Sequence, residues 1–213
     1  MTSPPFVTAE GNWLQVLRPS RAATLRPRLF LDRDGVIVEH VEYLHRVEDV
    51  RLLDGAAAAI EAANAAGWFV VVVANQSGIG RGLYDWPAFM AVQQALLDRL
   101  AAAGAQIDLV LACPFHPEAN PPYRHRDHPW RKPRPGMLLE AARHLPIDLA
   151  RSWIVGDRAI DIAAGRAAGL VGGIHIGDQP ERQAALRMAD GRYAVRWGEG
   201  PSAAKALLCA AAT

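Results

Sequence analysis

The sequence predicts an α/β fold: a mainly parallel sheet with helices on both faces. Three observations carry that prediction. Short apolar runs alternate with segments of helical spacing along most of the 213 residues. One run, Trp68–Ala74, is continuously apolar and rich in valine, the pattern of a strand covered on both faces. Polar residues follow several of these runs directly, at Asp32, Asn75 and Asp157.

Taken in order, residues 1–27 are rich in Pro, Thr and Arg and hold one apolar stretch, Trp13–Leu17. They are expected to form an extension lying on the body, ahead of a domain spanning 28–213. Arg28–Leu31 reads as a short strand that ends in Asp32–Arg33–Asp34–Gly35. Residues 39–53 are mixed and read as loop. Ala56–Ala66 predicts a helix closed by Gly67, since alanine is a strong helix former. The Trp68–Ala74 strand runs into a glycine-containing loop, Asn75–Gly82. Pro87–Ala103 has helical spacing and stops at Gly104, and Ile107–Ala112 is the next strand. Pro114–Pro135 holds seven of the chain's 15 prolines, which excludes helix and central strand. A loop of that length in a compact domain is usually functional. Gly136–Leu145 reads as helix, Ser152–Val155 as a strand halting at Gly156–Asp157, and Ile160–Ala168 as a helix ended by Gly169. Val171–Ile176, Arg192–Val195 and Ala203–Ala212 complete the chain as one or two strands and a final helix.

Composition narrows the function. Apolar residues make up 51%, charged residues 21%, and the net charge is +1. So balanced a chain gives no electrostatic reason to expect nucleic-acid or membrane partners. The two cysteines, Cys113 and Cys209, form no CxxC pair, which points to a reducing compartment. With no apolar run of signal-peptide length at the start, the expected location is cytoplasmic. Trp13, Trp86 and Trp130 are expected as packing anchors, and Cys209 as a small buried hydrophobe in the final helix.

In a parallel sheet, ligands bind beyond the carboxyl ends of the strands. That rule gathers Asp32, Asp34, Asn75–Ser77 and Asp157 in one place. One Asp after a strand is ordinarily a turn or cap residue. Asp32, Asp34, Asp157 and Asp161 together would repel unless a cation lay between them, and hard oxygen ligands suit Mg²⁺. The glycines of 75–82 let backbone N–H groups approach an anion, or simply join strand to helix. Lys132, between prolines and just before a helix, is either a rigidly held cation for a phosphate or a solvated surface residue.

These motifs resemble those of the haloacid-dehalogenase-like (HAD) phosphatases. Phe30–Ile37 is similar to their first motif, Lys132–Pro133 to the third and Gly156–Asp161 to the fourth. The likeness runs from about Leu29 to Ile176. Asn75–Ile79, Arg81–Gly82 and the segment from Cys113–Pro114 to Arg131–Lys132–Pro133 resemble the heptose-bisphosphate phosphatases in particular. Histidinol-phosphate and polynucleotide phosphatases share parts of the pattern. The resemblance implies a HAD-like Rossmannoid three-layer sandwich without a large cap domain. It implies Asp32 as nucleophile and Mg²⁺ ligand, Asp34 as general acid and base and as a ligand through its carbonyl, Asp157 completing the metal site, and Asp161 supporting it. Lys132 would hold the phosphoryl group. Arg33, Gly35, His40, Tyr43, Asn75, Gln76, Ser77, Arg131 and Arg158 would meet the substrate. The implied substrate is a small phosphorylated metabolite, first a heptose 1,7-bisphosphate, with histidinol phosphate as the alternative.

Two positions depart from the family. Ala74 stands where a Thr or Ser usually binds the phosphoryl oxygens, a loss of about 1.5–3 kcal/mol for one charged hydrogen bond. Ser77 is the candidate substitute, and a phosphate-binding protein with weak turnover is the alternative reading. The relatives' zinc loop, Cys-x-His then Cys-x-Cys, here keeps Cys113 and continues with Phe115, His128 and Trp130. Cys113 and His128 alone do not close a four-coordinate site, so Zn²⁺ is not expected. A rearranged Cys113–His116–His125–His128 set is the alternative. Nothing in the sequence sets the oligomeric state.

Overall fold

The computed structural model describes residues 5–20 and 24–210, with the backbone alone at 208–210, so the Cys209 side chain lies outside the described residues. Seven strands form one sheet: β1 (Trp13–Val16), β2 (Arg28–Leu31), β3 (Phe69–Asn75), β4 (Leu109–Cys113), β5 (Trp153–Gly156), β6 (Gly172–His175) and β7 (Ala194–Trp197), in the spatial order β1-β4-β3-β2-β5-β6-β7. β1 runs antiparallel to β4 and every other pairing is parallel. The helices are α1 (Ala56–Ala65), α2 (Ser77–Gly80), α3 (Trp86–Ala102), α4 (Gly136–His144), α5 (Ala159–Ala167), α6 (Gln179–Leu186) and α7 (Lys205–Ala210).

Alternation along the strands splits the core into two layers. Leu29 and Leu31, Val70, Val72 and Ala74 face α1 and α3, whose Ile60, Ala63, Phe89, Leu96 and Leu100 complete that layer. Phe30, Val71 and Val73 face the other way, against Met137 and Leu138 of α4 and Ile162 of α5. The three-layer α/β sandwich read from the sequence is the fold that forms. Between β2 and α1, the described residues hold only a 3-10 turn at Val47–Asp49 and two isolated bridges involving Val38. No cap domain rises from this segment.

Four elements differ from the sequence reading. Trp13–Val16, placed in an extension on the body, is an edge strand in register with β4, Trp13 opposite Ala112. Four residues are too few for a periodic signal, and tertiary packing decides them. Within the Asn75–Gly82 loop, Ser77–Gly80 closes one helical turn. Helix α6 was missed, although Asp178 caps it through Glu181 N–H at 3.4 Å and Pro180 stands at its first turn. The final helix begins as a 3-10 turn, Pro201–Ala204.

Trp13 explains why β1 stays on the sheet. It is fully buried. Its ring stacks on Trp86 at 5.5 Å and meets Phe89 edge-on at 5.1 Å. Among the described residues no helix is long and apolar enough to cross a membrane. Replacing Trp13 by Ala is expected to cost about 3–5 kcal/mol in urea unfolding, because both the buried area and the aromatic contacts are lost.

Candidate active site

The carboxyl ends of β2, β3 and β5 open into a cleft of about 320 Å³. β2 lies at the centre of the sheet, with β3 and β5 on either side, so their terminal residues converge. Asp32 continues the ladder, its N–H donating to Val155 O at 3.0 Å. Asp157 follows β5, and Asp161 sits in the first turn of α5, where its Oδ2 accepts from Arg158 N–H at 3.1 Å. Asp32, Asp157 and Asp161 bring carboxylate oxygens within 4.8 Å of one another. Two glycines permit this. A Cβ on Gly35, whose φ is +77°, would meet Asp157 Oδ2 at 2.3 Å, and one on Gly156 would meet Asp161 Cβ at 2.2 Å.

Lys132 binds this cluster together. Its fully buried ammonium donates to Val73 O at 2.8 Å and forms ion pairs with Asp161 Oδ1 at 2.6 Å and Asp32 Oδ1 at 2.9 Å. Burial opposes its charge, yet the two carboxylates outweigh burial and raise its pKa above the ordinary lysine value. Burial likewise raises Asp32, with Asp161, Asp157 and Asp34 pushing further and Lys132 pulling back. Burial and then Asp161 push Asp157 up to about 6. Asp157 Oδ1 is buried and has no partner among the described residues. Three converging carboxylates against one ammonium, with one orphaned oxygen, are the donor set a divalent cation requires.

A second network holds Asp34. Arg33 is fully buried, and its guanidinium donates to both Asp34 oxygens at 3.0–3.1 Å. Gln76 Nε2 donates to Asp34 Oδ2 at 2.9 Å, while Gln76 Oε1 accepts from Arg33 at 3.1 Å and from the Tyr84 hydroxyl at 2.5 Å. Arg33 and Gln76, expected at the substrate, therefore direct their polar groups to Asp34. Asn75 does the same for Lys132: its Oδ1 accepts the Lys132 N–H and its Nδ2 donates to the Lys132 carbonyl, both at 3.1 Å. Arg33, Asn75 and Gln76 still line the cleft, together with His40, Tyr43, Ser77, Arg131 and Arg158. Arg81, Tyr84 and His116 line it as well and were not singled out as site residues. Arg81 lay within a quoted motif, but its placement depends on the Cys113–Pro135 loop folding back over α2. Ala74 is buried within the apolar layer facing α1 and α3.

The proline-rich loop is held by rings. Phe115 stacks on His128 with centroids 3.8 Å apart and planes 4° from parallel, and meets Tyr123 edge-on at 5.4 Å. His128 Nδ1 accepts from Trp130 N–H at 3.2 Å and lies 3.7 Å from Cys113 Sγ. Burial lowers the His128 pKa to about 4 and raises the Cys113 thiol to about 12. His116 turns instead toward Arg81. The four candidate zinc ligands of this loop do not converge: among the described residues, the Asp32 cluster is the one place where three metal-capable groups come together.

Comparison with known proteins gives consistent matches. A HAD-hydrolase-like family model matches residues 129–182. D-glycero-beta-D-manno-heptose-1,7-bisphosphate 7-phosphatase of Mesorhizobium japonicum is 44% identical over 171 residues, 80% of this chain and 79% of the relative. The D-glycero-D-manno-heptose-1,7-bisphosphate 7-phosphatase of Thermosynechococcus vestitus is 44% identical over 69% of this chain and 77% of its own length. Among solved structures, a HAD-like phosphatase from Mesorhizobium loti superposes with a TM-score of 0.87 at 39% identity, covering 97% of this chain and 96% of that one. D,D-heptose 1,7-bisphosphate phosphatase from B. bronchiseptica, complexed with magnesium and phosphate, gives a TM-score of 0.73 at 29% identity, covering 86% and 99%.

Two measurements check this geometry. Lys132→Met leaves the carboxylates uncompensated and is expected to lower stability by about 3–5 kcal/mol in denaturant unfolding. His128 titrates near 4 in the folded chain against 6.5 ordinarily, so the unfolded chain binds its proton first as pH falls. The stability this group contributes is present above pH 6.5 and declines as pH drops toward 4. The midpoint of thermal unfolding should therefore fall less steeply between pH 7 and 4 in His128→Gln than in the wild type.

Proposed function

The chain belongs to the HAD-like phosphatases, and from that premise we propose that it removes the 7-phosphate of D-glycero-D-manno-heptose 1,7-bisphosphate by way of an aspartyl-phosphate on Asp32. The observation that carries the proposal is the set of Asp32, Asp157 and Asp161 around one buried Lys132 at the strand ends. The relatives' substrate supplies the sugar. The cleft's size and its cationic lining suit a small polyanion.

In this reading Asp32 Oδ attacks phosphorus and the bond to the sugar oxygen breaks. Asp34 gives its proton to that oxygen as it leaves. Water then attacks the aspartyl-phosphate, Asp34 takes the water's proton, and inorganic phosphate departs with Asp32 restored. Asp34 accepts hydrogen bonds at both oxygens from Arg33 and Gln76, the arrangement needed between those two steps. Lys132, in ion pairs with Asp32 and Asp161, orients Asp32 and offsets its charge. Asp32, Asp157 and the Asp34 carbonyl, with Asp161 in support, would hold Mg²⁺, whose positive charge would let a carboxylate approach a phosphate dianion. The Cys113–Pro135 loop keeps its shape through the Phe115–His128 stack and needs no Zn²⁺ for it. Ser77, which lines the cleft, supplies the hydroxyl that Ala74 lacks.

A panel of sugar phosphates, with histidinol phosphate included, tests the substrate: phosphate release should be greatest with the heptose 1,7-bisphosphate. Chelation should abolish turnover and Mg²⁺ should restore it, whereas a zinc-selective chelator should leave the unfolding temperature unchanged. Asp32→Asn should lose at least about a thousandfold in kcat. An Asp32→Asn protein with full activity removes the mechanism. Ser77→Ala should lose about tenfold in kcat/KM, in keeping with one charged hydrogen bond.

A further inference from the structure

The network around Asp34 reaches one residue beyond the groups that the hydrolysis uses. Tyr84 stands between α2 and α3, and its hydroxyl donates to Gln76 Oε1 at 2.5 Å. Gln76 is buried, and its Nε2 donates to Asp34 Oδ2 at 2.9 Å. Arg33 donates to both, at 3.1 Å to Gln76 Oε1 and at 3.0 Å to each Asp34 oxygen. Its guanidinium carbon lies 5.3 Å from the centroid of the Phe89 ring. Two neighbours fix the Tyr84 ring. His45 stacks on it, with centroids 5.8 Å apart and planes 11° from parallel. Gly78 leaves it room: a Cβ there would meet Tyr84 Cε1 at 2.2 Å and Tyr43 Cδ1 at 2.9 Å.

Donor and acceptor chemistry sets the sense of every bond in this chain of groups. Arg33 has donors only, so it takes the oxygen end of the Gln76 amide and leaves the nitrogen end to Asp34. Gln76 Oε1 then meets the Tyr84 hydroxyl as an acceptor. Burial holds the Tyr84 hydroxyl above the ordinary tyrosine range, so it keeps its proton and donates. Two donors on Gln76 Oε1 polarise the amide and strengthen its N–H toward Asp34, because linked hydrogen bonds reinforce one another. Without the hydroxyl, the amide keeps Arg33 and loses the second donor, and Asp34 is held less firmly. Tyr84 itself makes no hydrogen bond to Asp34 among the described residues: the Asp34 oxygens are taken by Arg33 and Gln76.

We propose that Tyr84 is a positioning residue for the reaction: its hydroxyl fixes Gln76, and through Gln76 it fixes the Asp34 carboxyl group that protonates the leaving oxygen. The proposal rests on reading Asp34 as the general acid and base of a phosphatase. The influence of the hydroxyl is confined to the steps in which Asp34 moves a proton. It grows with the need of the leaving oxygen for that proton.

Tyr84→Phe keeps the ring and its stack on His45 and removes the hydroxyl alone. The test compares D-glycero-D-manno-heptose 1,7-bisphosphate, whose sugar oxygen needs a proton to leave, with p-nitrophenyl phosphate, whose phenolate leaves as a stable anion. The ratio kcat/KM covers the steps up to that departure. Tyr84→Phe should lose about tenfold in kcat/KM on the heptose compound and far less on the aryl phosphate. Equal losses on both, as a general disturbance of the cleft would give, or no loss on the heptose compound overturn the proposal. A second measurement needs no turnover: the urea-unfolding midpoints of Tyr84→Phe, Asp34→Asn and the double variant. Gln76 stands between Tyr84 and Asp34, so a double-variant shift that departs from the sum of the single shifts supports the relay, and a shift equal to that sum overturns it. If the wild type hydrolyses neither compound, the reading as a phosphatase fails, while the unfolding cycle still decides whether Tyr84 holds Asp34.

Discussion

One buried ammonium governs the architecture of the cleft. Lys132 sits at the ends of three strands, donates to the Val73 carbonyl and pairs with the carboxylates of Asp32 and Asp161. A lone charge of that kind would be excluded from a core, and so would the carboxylates around it. Together they are tolerated, and their mutual demands specify much nearby. Asn75 must clip the Lys132 backbone, Gly35 and Gly156 must lack side chains, and the proline-flanked segment before α4 must deliver Lys132 from 57 residues beyond Asn75. Strands β2 and β5 are apolar where they face the helices and are followed at once by Asp32 and Asp157.

That abrupt change is why so much was legible in the sequence. Apolar runs ending in Asp32, Asn75 and Asp157 mark the sheet, its parallel sense and the location of the cleft, because strand ends in such a sheet share one edge. What stayed hidden depends on side chains meeting across long separations. That Gln76 and Arg33 turn to Asp34 instead of outward is a matter of rotamer and burial, which adjacency in sequence does not encode. Arg81 and His116 join the cleft only because the loop after β4 returns to α2. Helix α6 did carry a readable signal, its Asp178 cap and Pro180, in a segment too polar to show an apolar face.

The loop shows how one structural requirement can be met by different chemistry. A long segment with seven prolines needs a fixed interior to hold Arg131 and Lys132 in place. Here the interior is a Phe115–His128 stack closed by Tyr123, with Trp130 joined to the His128 nitrogen. The hydrogen bond from Trp130 N–H needs an unprotonated His128 Nδ1, so the order of the loop is tied to a group that releases its proton readily.

The edge strand β1 bears on how the chain is made. Trp13 precedes its partner Ala112 by 99 residues, with five other strands and helices between them. On the ribosome the opening segment must wait, while the parallel pairs β2–β3 and then β3–β4 form from neighbouring stretches. Until it docks, the wholly buried strand Leu109–Cys113 presents an unpaired border. β1 is therefore the last strand to close the sheet on that side, and its docking covers the border that β4 would otherwise leave open.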